Sequence, residues 1–460
     1  MKKTLLLLAI VALLAVPVTA LAATEFSLGG FIKLDSFWDS TQEGKNINSA
    51  ILRNNSPAFQ HGRYFMTAQG SRFNFTIKGP KLWGATVTGF IEVDFDSDTE
   101  PGTPFRAGST PTAVQPLNAS HGYTPRMRHA MFRLNWPETE LLFGQYWSMF
   151  CEYYPELLQD GPLQFHGVPT HRLAQVRVTQ KWREFTVSGL VGVPTDINNT
   201  GPTDTTSLQW KGANSETPQL QAKIAYEKDL WGKAPFYGVP RGFVAQVVAG
   251  WQRSRFNRGT FTAYWFDDDD HRLATFTALQ RDNQYLNHWM VQGTLFIPVI
   301  PTYSANLAGT ASLQAQWYVG AGLEAFGEAT SANNSMWTIQ NFGESYDREL
   351  QKRYGGYVQA QYYFTNQWFT TFVWSMNKAY GVDKSYQVFS AEPFRWWQEY
   401  SLALWYRPIQ ALKFGVQYSY NRTDYFMKAG PTPTKTPADY QNITDKGEAH
   451  RIEFVGLFFF

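Results

Sequence analysis

The sequence predicts an all-β protein whose antiparallel strands close into a transmembrane β-barrel. Three observations predict this fold. Apolar and polar residues alternate over segments of about ten residues from end to end of the chain, as strands with one lipid-facing and one wet face require. The connections between these segments are either short or long. Phe, Tyr and Trp together make up 17% of the residues, and aromatic rings are favoured at the boundaries of a membrane.

The first residues have the pattern of a secretory signal peptide. Residues 1–4 form a short cationic start, residues 5–16 form an apolar run, and residues 20–22 supply the small side chains of a cleavage site. The apolar run is too short to span a bilayer as a helix. We therefore expect residues 1–22 to be removed on export, which leaves residues 23–460 as a single barrel domain. This domain carries 38 basic and 38 acidic residues, so nothing in its charge points to nucleic acid.

Every predicted strand shows the same alternation. In the first, Phe26, Leu28 and Ile32 fall on one face, and Ser27 and Lys33 fall on the other. Only the first face suits hydrocarbon, so the opposite face should line a wet interior. The sixteen segments with this pattern are, in order, 26–39, 72–78, 86–96, 126–136, 140–148, 171–181, 185–194, 218–228, 242–255, 288–298, 311–326, 351–364, 368–380, 394–407, 411–426 and 448–460.

The connections between these segments fall into two classes. Short turns at one end and long polar loops at the other are typical of outer-membrane barrels, with the short turns in the periplasm and the long loops outside the cell. The short connections include 137–139, 182–184, 365–367 and 408–410, and the long ones include 97–125, 195–217, 256–287 and 427–447.

Two further segments leave the strand number open between sixteen and eighteen. Gly259 to Phe266 and Arg272 to Leu279 would be additional strands around the acidic run Asp267 to Asp270. This run is either a solvated loop tip or a site for a divalent cation, although it lacks the glycine and the later glutamate of an EF-hand.

The main alternative fold is a large secreted sandwich or propeller, which also contains short alternating strands. A propeller would show a repeat of blade length, and this sequence shows none. In hydrocarbon every backbone N–H and C=O must be paired, so the sheet must close and the last strand must meet the first. Sixteen strands enclose a lumen too wide for side chains to fill. Because alternation begins by Phe26, we expect no plug ahead of the first strand, and any constriction should come from a loop folded inward.

The chain resembles the general diffusion porins of Gram-negative outer membranes. The resemblance covers the whole barrel as architecture and rests on two motifs. The last strand ends in Phe460 with Phe458 two places before it, as in that family, although the fifth place from the end is Gly456. The loop at about 149–170 contains Pro-Glu-Leu-Leu-Gln-Asp-Gly at 155–161 and looks like the acidic, inward-folded loop of porins.

The resemblance implies opposed charges at the narrowest part of a pore. Acids of the inward loop would face a basic cluster on the wall and create a transverse field. Lys33, Lys78 and Lys223 share the wet phase of the basic cluster and are secondary candidates. The acidic candidates are Glu152, Glu156 and Asp160, and the basic candidates are Arg72, Arg133 and Arg177.

The resemblance also implies a function and a set of partners. The expected function is passive diffusion of ions and small hydrophilic solutes across the outer membrane, without a cofactor. The expected partners are outer-membrane lipid and lipopolysaccharide, the barrel-assembly machinery through the strand ending at Phe460, and two further copies in a homotrimer. Ion preference stays open, because the loop acids favour cations and the arginines favour anions.

Two rival functions remain. A channel selective for sugars, organic acids or aromatic compounds would carry aromatic rings along its lumen. An outer-membrane barrel enzyme would need a nucleophile beside a base, but GxSxG is absent and no histidine lies in a nucleophile motif, so we expect no catalytic activity. The aromatic residues that share the lumen phase are Phe31, Phe37, Phe90, Tyr318, Tyr357 and Tyr363.

Overall fold

The computed structural model describes residues 24–41, 61–95, 125–158, 167–195, 215–256, 260–266, 272–280, 284–327, 335–338, 345–380, 387–388, 394–429 and 444–460. The predicted signal peptide, Asp160 and the run Asp267 to Asp270 lie outside these residues. Two 3₁₀ helices are described, Met149–Cys151 and Leu323–Phe326. The strands are β1 Glu25–Asp39, β2 Arg63–Thr67, β3 Arg72–Leu82, β4 Ala85–Asp94, β5 Arg126–Asn135, β6 Thr139–Trp147, β7 Arg172–Trp182, β8 Phe185–Gly192, β9 Gln219–Lys228, β10 Ala234–Phe236, β11 Val239–Arg241, β12 Phe243–Phe256, β13 Thr260–Phe266, β14 Arg272–Gln280, β15 Gln284–Ile300, β16 Ala311–Ala321, β17 Ser335–Thr338, β18 Ser345–Leu350, β19 Lys352–Tyr363, β20 Trp368–Tyr380, β21 Gln387–Val388, β22 Phe394–Ile409, β23 Leu412–Ala429 and β24 Thr444–Phe459.

A single antiparallel sheet of 17 strands closes on itself. The ring is completed by β1 and β24, in which Phe31 to Asp39 pair residue by residue with Phe459 to Arg451. Because β2 and β3 both pair with β1, they are two parts of one interrupted strand. The ring therefore has sixteen strand positions, and the predicted sixteen-stranded barrel is confirmed. Closure leaves no edge strand in the ring, as a sheet in hydrocarbon requires.

The eighteen-strand alternative is wrong. The two additional segments do form strands, β13 and β14, but these belong to a separate five-stranded sheet with β17, β18 and β21. Within the ring, β12 pairs directly with β15 from Val244 opposite Phe296 to Phe256 opposite Gln284. This uninterrupted register leaves no place between β12 and β15 for another hairpin.

The two ends of the barrel differ in their connections. At one end, here called the short-turn end, β1 begins and β24 finishes, and the connections include 83–84, 183–184 and 410–411. At the opposite, long-loop end, the connections span many more residues, as predicted. Two connections at the short-turn end are longer than a tight turn, residues 229–242 and residues 301–310. The first of them contains the hairpin β10–β11.

The strands of the ring have apolar outer faces, and polar side chains occupy much of their inner faces. On β1, Phe26 is 72% exposed and Ile32 is 53% exposed, whereas Lys33 is only 4% exposed and points inward. Large exposed aromatic side chains also lie at the short-turn end, at Trp182 and Trp368, where amphipathic rings suit a membrane boundary. Within the residues that the structure describes, no helix has the length and apolarity needed to cross a membrane.

One sector of the lumen is packed with apolar side chains, here called the apolar sector. Gly250 on β12 makes room for it, because an added Cβ would lie only 2.8 Å from the rings of Phe150 and Phe326. The segment after β6 and the 3₁₀ helix after β16 therefore both fold into the barrel. The members of the apolar sector are Met149, Phe150, Leu173, Leu190, Val248, Met290, Tyr318, Leu323, Ala325 and Phe326.

Candidate pore constriction

The chain that follows β6 crosses the interior of the barrel. Residues 149–158, here called the inward segment, begin with the 3₁₀ helix Met149–Cys151 and continue without regular structure. The single cysteine, Cys151, is buried at the start of the inward segment. Its thiol donates a hydrogen bond to the carbonyl oxygen of Pro169, with 2.8 Å between sulfur and oxygen. Burial raises the pKa of this thiol to about 12, so it is an inert packing residue.

Glutamine side chains of the barrel wall hold the inward segment in place. An amide side chain carries both a donor and an acceptor, so it can bond either a passing N–H or a passing C=O group. The five contacts lie on β9, β15, β16, β19 and β23, which means that the segment follows the wall around much of the barrel. In order they are Met149 N to Gln221 Oε1 (2.9 Å), Gln292 Nε2 to Phe150 O (3.1 Å), Gln314 Nε2 to Tyr154 O (3.1 Å), Glu156 N to Gln359 Oε1 (2.6 Å) and Leu158 N to Gln417 Oε1 (2.8 Å).

Both described acids of the inward segment pair with wall lysines. Glu156 accepts from Lys413 Nζ at 2.5 Å and from Gln361 Nε2 at 2.8 Å. Glu152 accepts from Lys223 Nζ at 2.5 Å, with a guanidinium nitrogen of Arg177 at 3.9 Å. Each carboxylate therefore has its charge compensated by the wall instead of facing the lumen alone.

A cavity of about 340 Å³ lies between the inward segment and the wall formed by the early strands. Its lining combines charged and aromatic side chains, with more cations than acids. The charged lining residues are Lys33, Arg72, Arg128, Lys413, Glu92 and Glu156, and the aromatic ones are Phe31, Phe90, Tyr146, Trp147, Tyr154, Tyr237, Trp405 and Phe459.

The arginines of this wall are held by carboxylates and by aromatic faces. Arg128 bonds Glu92 at 2.6 Å and Asp94 at 2.7 Å, and Arg126 makes a two-pronged contact with Asp94 at 2.9 and 2.8 Å. Arg172 lies with its guanidinium carbon 5.0 Å from the centre of the Trp147 ring. Such contacts fix the guanidinium groups in place.

Neither a family model nor a curated protein sequence matches the chain. Among solved structures, the outer membrane channel DcaP of Acinetobacter baumannii is 16% identical, with a TM-score of 0.62, and the alignment covers 96% of this chain and 99% of that one. The anion-selective porin from Comamonas acidovorans is 9% identical, with a TM-score of 0.50 and coverage of 95% and 100%.

The fold is that of an outer-membrane porin. Within this porin fold, Glu156 and Arg72 both line the cavity. Glu152 and Arg177 lie next to each other but do not line that cavity. Arg133 lies 3.5 Å from Glu140 and stacks on Tyr146. Whether these residues govern permeation stays a prediction.

The secondary candidates also have defined places in the porin fold. Lys33 lines the cavity and donates to the carbonyl oxygen of Leu158 at 2.9 Å. Lys223 pairs with Glu152. Lys78 is instead exposed near the short-turn end, 3.4 Å from Glu25, because it lies in the part of β3 that leads into the turn at 83–84.

Sequence reasoning missed two cations of the cavity. By strict alternation along β5, the Arg128 side chain would point towards lipid. A bulge interrupts the alternation, because Glu92 pairs with His129 whereas the next residue, Val93, pairs with Met127. The bulge turns both Arg128 and His129 inward. Lys413 could have been found from the sequence, because alternation places it on the same inward-pointing side of β23 as Gln417.

Proposed function

We propose that the chain is an outer-membrane porin of a Gram-negative bacterium, which lets ions and small hydrophilic solutes diffuse passively through a water-filled channel. The observation that carries this proposal is a closed ring of sixteen strands whose lumen is narrowed by the inward segment to a charged cavity of about 340 Å³. A charged lining stabilises hydrated solutes in a way that an apolar lining cannot. The proposal needs no cofactor and no energy source.

The proposal includes orientation, processing and partners. Residues 1–22 are the export signal, the short-turn end faces the periplasm and the long-loop end faces the exterior. The apolar outer face contacts outer-membrane lipid and lipopolysaccharide, and the strand that ends at Phe460 is delivered to the barrel-assembly machinery. By resemblance to porins, the working unit is a homotrimer.

Planar-bilayer recording tests the proposal. Purified, refolded protein should produce stepwise increases in conductance in potassium chloride, and heat-unfolded protein from the same preparation should not. Folded protein that inserts into the bilayer without conductance steps would contradict the channel function.

The second candidate is a channel selective for organic acids, because cationic and aromatic side chains line the same cavity. Arg72 lies with its guanidinium carbon 5.2 Å from the centre of the Phe31 ring, and Arg128 lies 5.5 Å from that of Trp147. A carboxylate with an attached ring would meet both kinds of group there. Saturable block of the ion current by benzoate, with no block by glucose, would favour this candidate over a simple sieve.

A further inference from the structure

We propose that the hairpin β10–β11 is a second constriction element, which enters the lumen from the short-turn end, and that Tyr237 at its tip is a specificity-determining residue of the channel. This inference rests on the proposed channel function. The inward segment enters from the opposite end of the barrel, so the constriction is built from two sides.

The hairpin is anchored inside the barrel. Ala234 is fully buried, and the carbonyl oxygen of Pro235 accepts a hydrogen bond from the Ser312 hydroxyl on β16 at 3.2 Å. The Phe236 ring packs edge-on against Phe296 of β15, with 5.5 Å between ring centres. An ordinary periplasmic turn lies outside the strand ends, whereas this hairpin packs on the inner faces of β15 and β16.

The tip of the hairpin reaches strands far from its own base. Tyr237 and Gly238 form the two-residue turn, with φ values of 50° and 78°. Glycine suits the left-handed conformation, but a tyrosine there is unusual. An added Cβ at Gly238 would lie 3.1 Å from a guanidinium nitrogen of Arg407 on β22 and 3.9 Å from the Tyr363 hydroxyl on β19. The hairpin thus extends from β9 and β12 towards β19 and β22.

The tip also contacts the inward segment directly. The Tyr237 hydroxyl donates to the carbonyl oxygen of Tyr154, and the two rings lie 4.9 Å apart. Burial raises the pKa of Tyr237, so the hydroxyl keeps the proton that it donates. Tyr154 O accepts a second hydrogen bond from Gln314, so its position is fixed from both the wall and the hairpin.

A second contact joins the base of the hairpin to the same segment. The Phe236 ring lies 5.5 Å from the ring of Tyr153. The guanidinium of Arg241 stacks over Tyr153 at 5.1 Å and is held in turn by Glu227 at 2.8 Å. Since Tyr237 itself lines the cavity, the hairpin both positions the inward segment and occupies part of the aperture.

Cysteine labelling tests the position of the tip. The only native cysteine, Cys151, is buried and inert, so Tyr237→Cys can be compared with Val239→Cys, at an exposed residue of the same hairpin that does not line the cavity. A small negatively charged methanethiosulfonate should shift the reversal potential of Tyr237→Cys channels towards cations and lower their conductance. The same reagent should leave Val239→Cys channels and the parent unchanged.

Side-chain truncation tests the aperture. Tyr237→Ala should raise the single-channel conductance by roughly a quarter or more, because a phenol ring is a sizeable fraction of a cavity of about 340 Å³. Tyr237→Leu, which keeps an apolar contact, serves if the alanine variant does not fold, and folding is checked by heat-dependent gel migration. A truncation variant whose single-channel conductance equals that of the parent would overturn the inference. Equal sensitivity of Tyr237→Cys and Val239→Cys channels to the reagent would also overturn it. A parent without conductance would instead contradict the proposed channel itself.

Discussion

At the scale of single residues, the pair of Glu156 and Lys413 links the charge of the inward segment to that of the wall. The Lys413 ammonium lies 2.5 Å from one carboxylate oxygen of Glu156 and 3.6 Å from the centre of the Trp405 ring. Both side chains are nearly buried. In such surroundings, removing one partner leaves a charge that solvent compensates poorly.

This pair predicts opposite changes in ion selectivity. Glu156→Gln leaves the lysine uncompensated and should shift the reversal potential in a tenfold potassium chloride gradient towards anions. Lys413→Met should shift it towards cations, and the double variant should return close to the parent. Single variants that both leave the reversal potential unchanged would place this pair away from the ion path.

We expect the protonation of His171 to make the stability of the barrel depend on pH. It lies between the inward segment and β7, with Nε2 3.0 Å from the Thr195 hydroxyl, and burial lowers its pKa from 6.5 to about 4. Between these two values the unfolded chain binds a proton that the folded chain does not bind, so stability falls as the pH falls through this window and is constant above it. The loss is at most roughly 3 kcal/mol.

Urea unfolding of the refolded barrel at pH 7 and pH 4.5 measures this effect. His171→Gln keeps a polar side chain but cannot titrate, so it should remove the part of the pH dependence that His171 contributes. The same slope in both proteins would show that His171 does not contribute to it.

At the scale of elements, the packing of the inward segment depends on glycine in the wall. Gly250 has no space for a side chain, because the rings of Phe150 and Phe326 lie against it. Gly293 on the neighbouring β15 has no neighbour within 4 Å of an added Cβ. The two glycines therefore form a matched pair, one facing the apolar sector and one facing outward.

Gly250→Val should destabilise the barrel, whereas Gly293→Val should not. Overpacking of a filled interior lowers the free energy of unfolding by about 1–3 kcal/mol. Here it would displace Phe150 and the 3₁₀ helix at the start of the inward segment. The urea midpoint should fall for Gly250→Val and stay near that of the parent for Gly293→Val. Equal midpoints for the two variants would contradict the filled sector.

The sequence shows the strands well and the interior poorly. Alternation located all sixteen ring positions, because lipid and water impose opposite polarity on the two faces of each strand. It missed β10–β11, whose residues include Pro235, Gly238 and Pro240 and have the composition of a loop. Phase tells which side chains point inward, but it does not tell what they contact. The sequence therefore predicts Glu156 in the pore, whereas its lysine partner and the glutamine contacts follow only from the three-dimensional register.

At the scale of the whole molecule, the barrel depends on the meeting of its first and last strands. Val455 on β24 is buried and pairs with Asp35 of β1 and with Gly415 of β23. A proline at this place removes the backbone N–H from a ladder that has no alternative partner in hydrocarbon.

Val455→Pro should therefore prevent closure. The variant should show no heat-dependent gel migration and no channel activity, whereas Val455→Ala, which keeps the N–H group, should show both. A proline variant that still migrates as a folded barrel would indicate that closure tolerates a gap between β1 and β24.

The five glutamine contacts that seat the inward segment have a consequence for the conditions in which the barrel works. Amides neither gain nor lose protons across the biological pH range, and neutral hydrogen bonds are not weakened by dissolved salt as surface ion pairs are. The width of the aperture along this wall should therefore be the same in fresh water and in brine. A channel of the kind proposed above would keep the same aperture at low and at high external salinity without any adjustment of the protein.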